Sequence, residues 1–454
     1  MHRRAPAGRQ RLKRLVVART APASFPQKRL GIVQRLDPAG GHCNVCRVLR
    51  LRGRLDVAKL ERALDALARR HATLRTAFTA DGETQVVADD ATPVLHSTRL
   101  DALRPEEPGA AIRRLAIDDA RRPFDLARAP LMRAHLLHVD DDDHVLLFAV
   151  HNLVCDGWSL GLLFRELAQR YGDENGGASP CPAGALSYAG FATRQRRRAE
   201  QGEDGDALAW WKDALADPPP PLRWPGAATP RSAPRYDAGR LKAHPARALE
   251  DAIAGTSHRA GVTRFTTWLA ACLVLVGRTT GRDRFLVGTL HAGRTQVETR
   301  AVVGPFADFL VLRVDLAGDP GFTELLRRTQ ALVLAAFERQ DLPFQRLVEE
   351  APPGDGAADV PYFDTVINYT GDRQRIPRRW GGLDVEAVDV DACSSRFRWM
   401  LYIRDEDPLA LEFVHRTDLM PDADAIAFLD RYQRVLEQAC RAPDRPISEI
   451  LVPT

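Results

Sequence analysis

Ala149-Val150-His151-Asn152-Leu153-Val154-Cys155-Asp156-Gly157-Trp158-Ser159 is the stretch whose reading decides the fold. An apolar run, Val145 to Val150, leads into it, and the acidic cluster Asp140 to Asp143 stands before that run. Leu160, Leu163, Phe164, Leu167 and Tyr171 follow at helical spacing and stop at Gly172. The pattern predicts a buried strand, a tight loop and the start of a helix. Polar side chains gathered at such a junction point to a site rather than to packing. His151, Asn152, Cys155 and Asp156 make this the densest chemistry in the chain.

Outward from it, the same logic gives the neighbours. Ala134 to His138 reads as a strand joined through the acidic turn to Val145–Val150 as a hairpin. Val45 to Leu51 reads as another strand. Asp56 caps a helix whose Val57, Leu60, Leu64 and Leu67 share one face and which ends near Arg70-His71. Leu74 to Phe78 is expected to begin the next strand. One helix is expected to carry Tyr188, Phe191 and Trp210-Trp211, followed by an extended Pro218–Pro221 segment. In the second half, a helix over Phe265–Val276 precedes strands at Phe285–Gly288 and Phe309–Val314. An amphipathic helix over Phe322–Phe337 stops at Asp341-Leu342-Pro343. A strand at Thr365–Asn368, a hairpin of Met400–Ile403 with Leu409–Val414 and a last helix over Ala423–Cys440 complete the chain. Mixed elements in two similar halves argue for an α/β (α+β) pair of lobes.

Length and composition set the bounds. A chain of 454 residues is too long for one ordinary core. Its net charge of +4 is the small remainder of 64 basic and 60 acidic residues, which gives no reason to expect nucleic acid. No apolar run approaches the roughly 20 residues of a membrane span. The seven scattered cysteines read as reduced thiols of a cytoplasmic protein. Residues 1–21 read as a basic, disordered leader, 22–200 as a first lobe carrying the loop and 201–454 as a second lobe, with a crossover near 175–240.

Several segments, in order, resemble the condensation domain of nonribosomal peptide synthetases. Ser24…Gln27-Lys28-Arg29-Leu30 resembles the family's opening motif, and Arg70-His71-Ala72-Thr73-Leu74-Arg75-Thr76-Ala77-Phe78 its second. His151 to Gly157 lies on the His-His-x-x-x-Asp-Gly signature. Tyr188 to Gln195 resembles the next motif, Val287 to Arg294 the Gly-Thr-Pro-x-x-Gly-Arg stretch, and Gln340 to Phe344 the segment after the long helix. The resemblance implies two chloramphenicol-acetyltransferase-like lobes in a V-shaped pseudo-dimer with a central tunnel. It implies amide formation by acyl transfer between substrates on the phosphopantetheine of donor and acceptor carrier proteins, with no cofactor or metal bound by the chain. A monomer without membrane or nucleic-acid partners is expected. His151, Asn152, Asp156 and Gly157 are then the catalytic motif; His291, Ser159 and Asn368 are candidate substrate contacts; Asp156 and Arg294 form the family's structural ion pair.

The departure is at position 152, where the family has its second histidine. Asn offers an acceptor and a donor but no nitrogen that titrates near neutrality. Three readings follow. Asn152 positions an amine that is itself partly neutral, with a pKa of about 7.7–8.0, and lost base assistance costs roughly 10²–10⁴-fold. Alternatively His291 is the base, or Cys155 a nucleophile if its pKa is depressed. In the third reading the domain binds a carrier-bound chain or recruits a tailoring enzyme without condensing. Elsewhere, Arg194, Arg196, Arg197 and Arg198 read as a solvated face or a carrier-docking patch. Asn368 reads as a substrate contact or a strand-end cap. His42-Cys43-x-x-Cys46 reads as a strand with small buried thiols, since zinc needs a second pair.

Overall fold

The computed structural model describes residues 19–100, 107–173, 186–225, 236–353, 360–371, 376–390 and 393–451. Most of the basic leader, Cys181 and parts of the expected crossover lie outside them.

Two large sheets organise the chain. The first has six strands, in the order Arg379–Trp380, Leu383–Val388, Asn44–Arg52, Asp143–His151, Met132–Asp140, Leu95–Arg99. The second has seven, in the order Asp308–Asp315, Arg284–His291, Thr365–Gly371, Trp399–Asp405, Ala410–Arg416, Asp237–Ala243, Cys393–Ser394. A small third sheet joins Arg19–Pro22, Thr84–Val87 and Thr76–Phe78.

The first sheet forms where the apolar pattern says it should. Asp143–His151 is buried almost throughout and sits between Asn44–Arg52 and Met132–Asp140, both antiparallel to it. Burial on both faces explains a continuous apolar run in place of alternation. Helix Val57–Arg70 covers one face with Leu60, Leu64 and Leu67, all essentially inaccessible, and Asp56 caps it by accepting from Lys59 N at 2.9 Å. The signature helix, Gly157–Gly172, packs Leu163, Phe164 and Leu167 into the same core. The second core is larger and centres on helix Arg264–Thr280, buried continuously from Thr266 to Gly277 between its sheet and helices Phe322–Phe337 and Asp422–Arg441.

Three expectations need correction. Ala72–Arg75 is a 3-10 turn, and the strand begins only at Thr76. The Thr73 hydroxyl donates to Val303 O at 2.9 Å, so a tertiary contact holds this turn. The single helix expected across Tyr188–Trp211 is two, Tyr188–Glu200 and Gly205–Ala214, broken where Gly202 takes a φ of +72°. A single cut at residue 200 also fails to separate the sheets. Strand Leu383–Val388, far into the second half, pairs with Asn44–Arg52 from Asp384↔Arg52 to Val388↔Val48. Trp380, fully buried, stacks against Phe164 of the signature helix with ring centroids 6.2 Å apart.

Candidate active site

The signature loop hangs between the two cores, and almost every polar group in it is spent on holding the loop. His151 is 1 % exposed. Its Nδ1 accepts from Leu153 N at 3.1 Å, so its proton sits on Nε2, which faces Gln34 Oε1 at 3.2 Å. The Gln34 amide is oriented by its own donations to Asp37 O and Gly40 O, both at 3.1 Å. Burial, then the nearby His42 and Arg133 charges, holds the His151 pKa down at about 3. His151 is therefore neutral with both nitrogens committed. It positions the loop and has no lone pair left to act as a base.

Asp156 does three things at once. It caps the signature helix, Oδ1 accepting from Ser159 N at 2.7 Å. Its Oδ2 accepts from Phe306 N at 3.0 Å and Ala307 N at 3.2 Å in the second lobe. Arg294 Nη2 donates to both oxygens, at 3.2 and 3.4 Å. Arg294 in turn donates to Thr299 O, Val302 O and the Ser159 hydroxyl, at 2.5, 2.7 and 2.7 Å. Its guanidinium lies 4.2 Å from the Phe306 ring centroid. The expected ion pair is thus the centre of a buried clamp on residues 299–307. Gly293, at φ +63°, must be glycine because a Cβ there would collide with the Phe306 carbonyl oxygen. Gly157 is simply the first residue of the helix.

The structure corrects several other expectations. Ser159 is fully buried; its hydroxyl donates to Gly304 O at 2.9 Å and accepts from Gly304 N at 3.0 Å, so it is part of the clamp and not open to substrate. Cys155 is fully buried, and burial pushes its thiol well above the ordinary value, which removes it as a nucleophile. His291 accepts from Gly293 N through Nδ1 at 3.2 Å and opens onto a cavity of about 330 Å³ shared with Arg194, Gln340 and Asp341. No residue from His151 to Gly157 lines that cavity. Burial also lowers the His291 pKa, against the pull of Asp308 and Asp341. Asn368 lies in mid-strand, half-buried and opposite Tyr402, so it is no strand-end cap. Of the basic run, Arg196 pairs with Glu83 and Arg198 with Glu203, leaving Arg194 and Arg197 as the exposed members. Cys43 is buried with its thiol pushed up to about 12, and the described residues contain no cluster suited to a metal.

Asn152 differs from all of these. Its backbone N–H donates to Cys43 O at 2.8 Å, which fixes the residue. Its side chain is half-buried and makes no hydrogen bond to any described residue. It is the one polar side chain of the loop left available to a ligand.

Other supports were not foreseen from sequence. Ser24 and Gln27 form a reciprocal cap, and Gln27 Nε2 also donates to Leu153 O at 3.0 Å. The Tyr188 hydroxyl contacts Ser24 Oγ at 2.7 Å and donates to Pro305 O at 2.9 Å. Trp158 Nε1 donates to Arg300 O at 3.1 Å. The Ser-x-x-Gln spacing is the one available signal, as a capping box; the rest are contacts across more than 100 residues.

Two helix-backed sheets, bridged by the buried Asp156–Arg294 clamp and by the returning strand Leu383–Val388, make the two-lobed pseudo-dimer of the chloramphenicol-acetyltransferase type. The comparisons agree. The profile of the family described as Condensation domain matches residues 17–454. Phosphinothricin tripeptide synthetase PhsB of Streptomyces viridochromogenes is 34% identical over 437 residues, covering 94% of this chain and 36% of the synthetase. Malpibaldin synthetase of Mortierella alpina is 31% identical over 448 residues, covering 95% of this chain and 8% of that protein. The chain belongs to the condensation-domain family of nonribosomal peptide synthetases, whose members are in general acyltransferases, and spans about a third or less of these relatives. Among solved structures, the X-domain from teicoplanin biosynthesis has a TM-score of 0.86 at 25% identity, over 99% of this chain and 100% of that one. The condensation domain from Monacolin K polyketide synthase MokA has a TM-score of 0.80 at 21% identity, over 94% and 99%.

Proposed function

We propose that this chain forms an amide bond by acyl transfer. The donor is an acyl or peptidyl thioester on a carrier protein, and the acceptor is an amine, carrier-bound or free. The observation that carries the reading is the contrast within the loop: a complete Asp156–Arg294 clamp around an Asn152 side chain that bonds to nothing in the fold. A carboxamide in that state accepts from an amine N–H and holds its lone pair toward the thioester carbon. Positioning supplies much of the rate in such a step. The thioester is an activated donor, and an α-amine with a pKa of about 7.7–8.0 is partly neutral at pH 7. Amines are therefore favoured over alcohols, which need a base more. The test loads a donor carrier with an acyl group and an acceptor carrier with an aminoacyl group, then follows the condensed product by intact-protein mass spectrometry. Product above the no-enzyme control, reduced in Asn152→Ala, is expected. No product from the parent but product from Asn152→His would sink the reading.

A second reading is favoured by the likeness to the teicoplanin X-domain, one structure of which is a complex of the X-domain with OxyB. In it, the chain binds a carrier-bound intermediate or a tailoring enzyme without turnover. Tight binding to such a partner with no condensation in the same assay is its signature.

A further inference from the structure

Resting on the condensation reading, we propose that Arg47 selects a substrate whose acyl or aminoacyl side chain carries a carboxylate. Strand Asn44–Arg52 sends Val45, Leu49 and Leu51 to the first core, and Arg47 interrupts that apolar row opposite Phe148. Its one hydrogen bond runs from Nη1 to the carbonyl of its neighbour Cys46, at 2.8 Å. Nε and Nη2 have no partner among the described residues and are not sealed from solvent. These two are the side-on fork of the guanidinium, whose spacing matches the two oxygens of a carboxylate. A half-buried guanidinium with no carboxylate of its own is costly to keep, and binding an anion is a reason to keep it.

The surroundings hold more positive charge than the fold uses. Strand Leu383–Val388 leaves the sheet at Val388↔Val48, so Arg47 is the first residue past its cover. There the second lobe closes in: Lys242 of strand Asp237–Ala243 pairs with Asp389 at 2.5 Å, and Asp237 with Arg121 at 3.1 Å. In strand Trp399–Asp405, Trp399, Leu401 and Ile403 enter the second core, which leaves Tyr402 and Arg404 on the opposite face. Glu412, across from Tyr402, shares that face, and its two oxygens are taken by Arg240 at 3.2 Å and Arg404 at 2.5 Å. Arg404, Glu412 and Arg240 are the charges that act on Arg47 between the lobes. Three guanidiniums against one carboxylate leave two positive charges unbalanced, and Lys242 is already matched by Asp389. Glu406, past the end of strand Trp399–Asp405, acts on Arg404 more weakly than Glu412 does. Burial and the Arg404 charge lower the Arg47 pKa, against the pull of Glu412.

The place suits a substrate side chain. Arg47 is three residues along its strand from Asn44, which pairs with His151, so it stands roughly 10 Å from the signature loop. Asn368, opposite Tyr402 on the same face of the second sheet, makes no hydrogen bond to any described residue. A carboxylate drawn to Arg47 accepts from both fork nitrogens while the reacting amine or thioester stays at Asn152.

The test compares isosteric pairs in the two-carrier assay, for the parent and Arg47→Gln, with melting checked for each. Glutamyl and glutaminyl, then aspartyl and asparaginyl, are loaded on the acceptor, and their N-acyl forms on the donor. In the parent the acidic member of a pair is expected to react faster by roughly 10- to 100-fold on one of the two sides, the range of a hydrogen bond to a charged group. Arg47→Gln is expected to lose that preference, the acidic member's rate falling toward that of the neutral one. An active parent with no preference overturns the proposal and leaves the condensation reading standing, as does a preference that survives in Arg47→Gln. The phosphopantetheine phosphate is the other anion the substrates bring, so the pairs are repeated as N-acetylcysteamine thioesters, which lack it. Arg47→Gln slowing acidic and neutral members alike on carriers, but not as these thioesters, assigns Arg47 to the phosphate and overturns the proposal. If Arg47→Gln does not fold, Arg47→Met is read in its place. An inactive parent overturns both.

Discussion

Asp156→Asn separates two accounts of the most densely bonded side chain in the loop. If Asp156 matters only as a helix cap, the change is nearly silent, since Asn and Asp cap about equally well, within a few tenths of a kcal/mol. The contacts predict otherwise. One oxygen accepts from Ser159 N and the other from Phe306 N and Ala307 N, while Arg294 donates to both. The amide can be placed either way round, but in each its NH2 meets donors that have lost their acceptor. The Arg294 charge is left buried without a counter-ion. Each hydrogen bond to a charged group is worth about 1.5–3 kcal/mol, and breaking a buried pair from one side costs about 3–5 kcal/mol. A loss of about 3–5 kcal/mol is expected, which at the scale of one lobe lowers the melting temperature by roughly 10 °C. Calorimetry or denaturant unfolding measures it. Hydrogen exchange localises it, with the Phe306 and Ala307 amides losing protection first. A loss under about 1 kcal/mol, with those two amides still protected, would refute the clamp.

Other outcomes follow from the same contacts. Asn152→Ala should change stability by less than about 0.5 kcal/mol, because the side chain bonds to nothing in the fold; melting curves check it. His151 has a folded pKa of about 3 against roughly 6.5 unfolded, so the unfolded chain binds the extra proton between those values. Its contribution is full above pH 6.5 and is lost as pH falls toward 3, up to about 4–5 kcal/mol; comparing His151→Gln with the parent across that window isolates it, and the ring resonances should not titrate between about pH 5 and 8. Trp380→Ala should cost about 3–5 kcal/mol and loosen the first core, seen as new proteolysis near the signature helix although the mutation lies in the second half of the chain.

Much of this fold was legible because local signals and tertiary fate agree. Val145–Val150 is apolar without alternation and is buried on both faces. Asp56 stands before a clean helical stripe and caps it. What escaped reading is set at a distance. The Ala72–Arg75 turn depends on Thr73 reaching Val303, 230 residues away. Strand Leu383–Val388 is short and partly charged; its local partner is the two-residue strand Arg379–Trp380, and most of its pairing is to a strand 330-odd residues earlier. At the site, Asp156 and Arg294 were visible as a pair, but their grip on the backbone of residues 299–307 was not. Ser159 reads as an open hydroxyl in sequence because nothing local shows that Gly304 fills both sides of it. The substitution that matters most, Asn152, needed no structure to be found; its unbonded side chain did.

The strand that crosses back into the first sheet also imposes an order of events during synthesis. Until residue 388 leaves the ribosome, strand Asn44–Arg52 has an open edge where Leu383–Val388 will pair, and Phe164 lacks the Trp380 ring that covers it. At 5–20 residues per second, that interval is on the order of 20–70 s. An unpaired edge is a template for other chains. Until then Arg52 on that strand lacks Glu386, its carboxylate partner on the late strand, and an uncompensated charge at an open edge is the kind that discourages pairing with other chains.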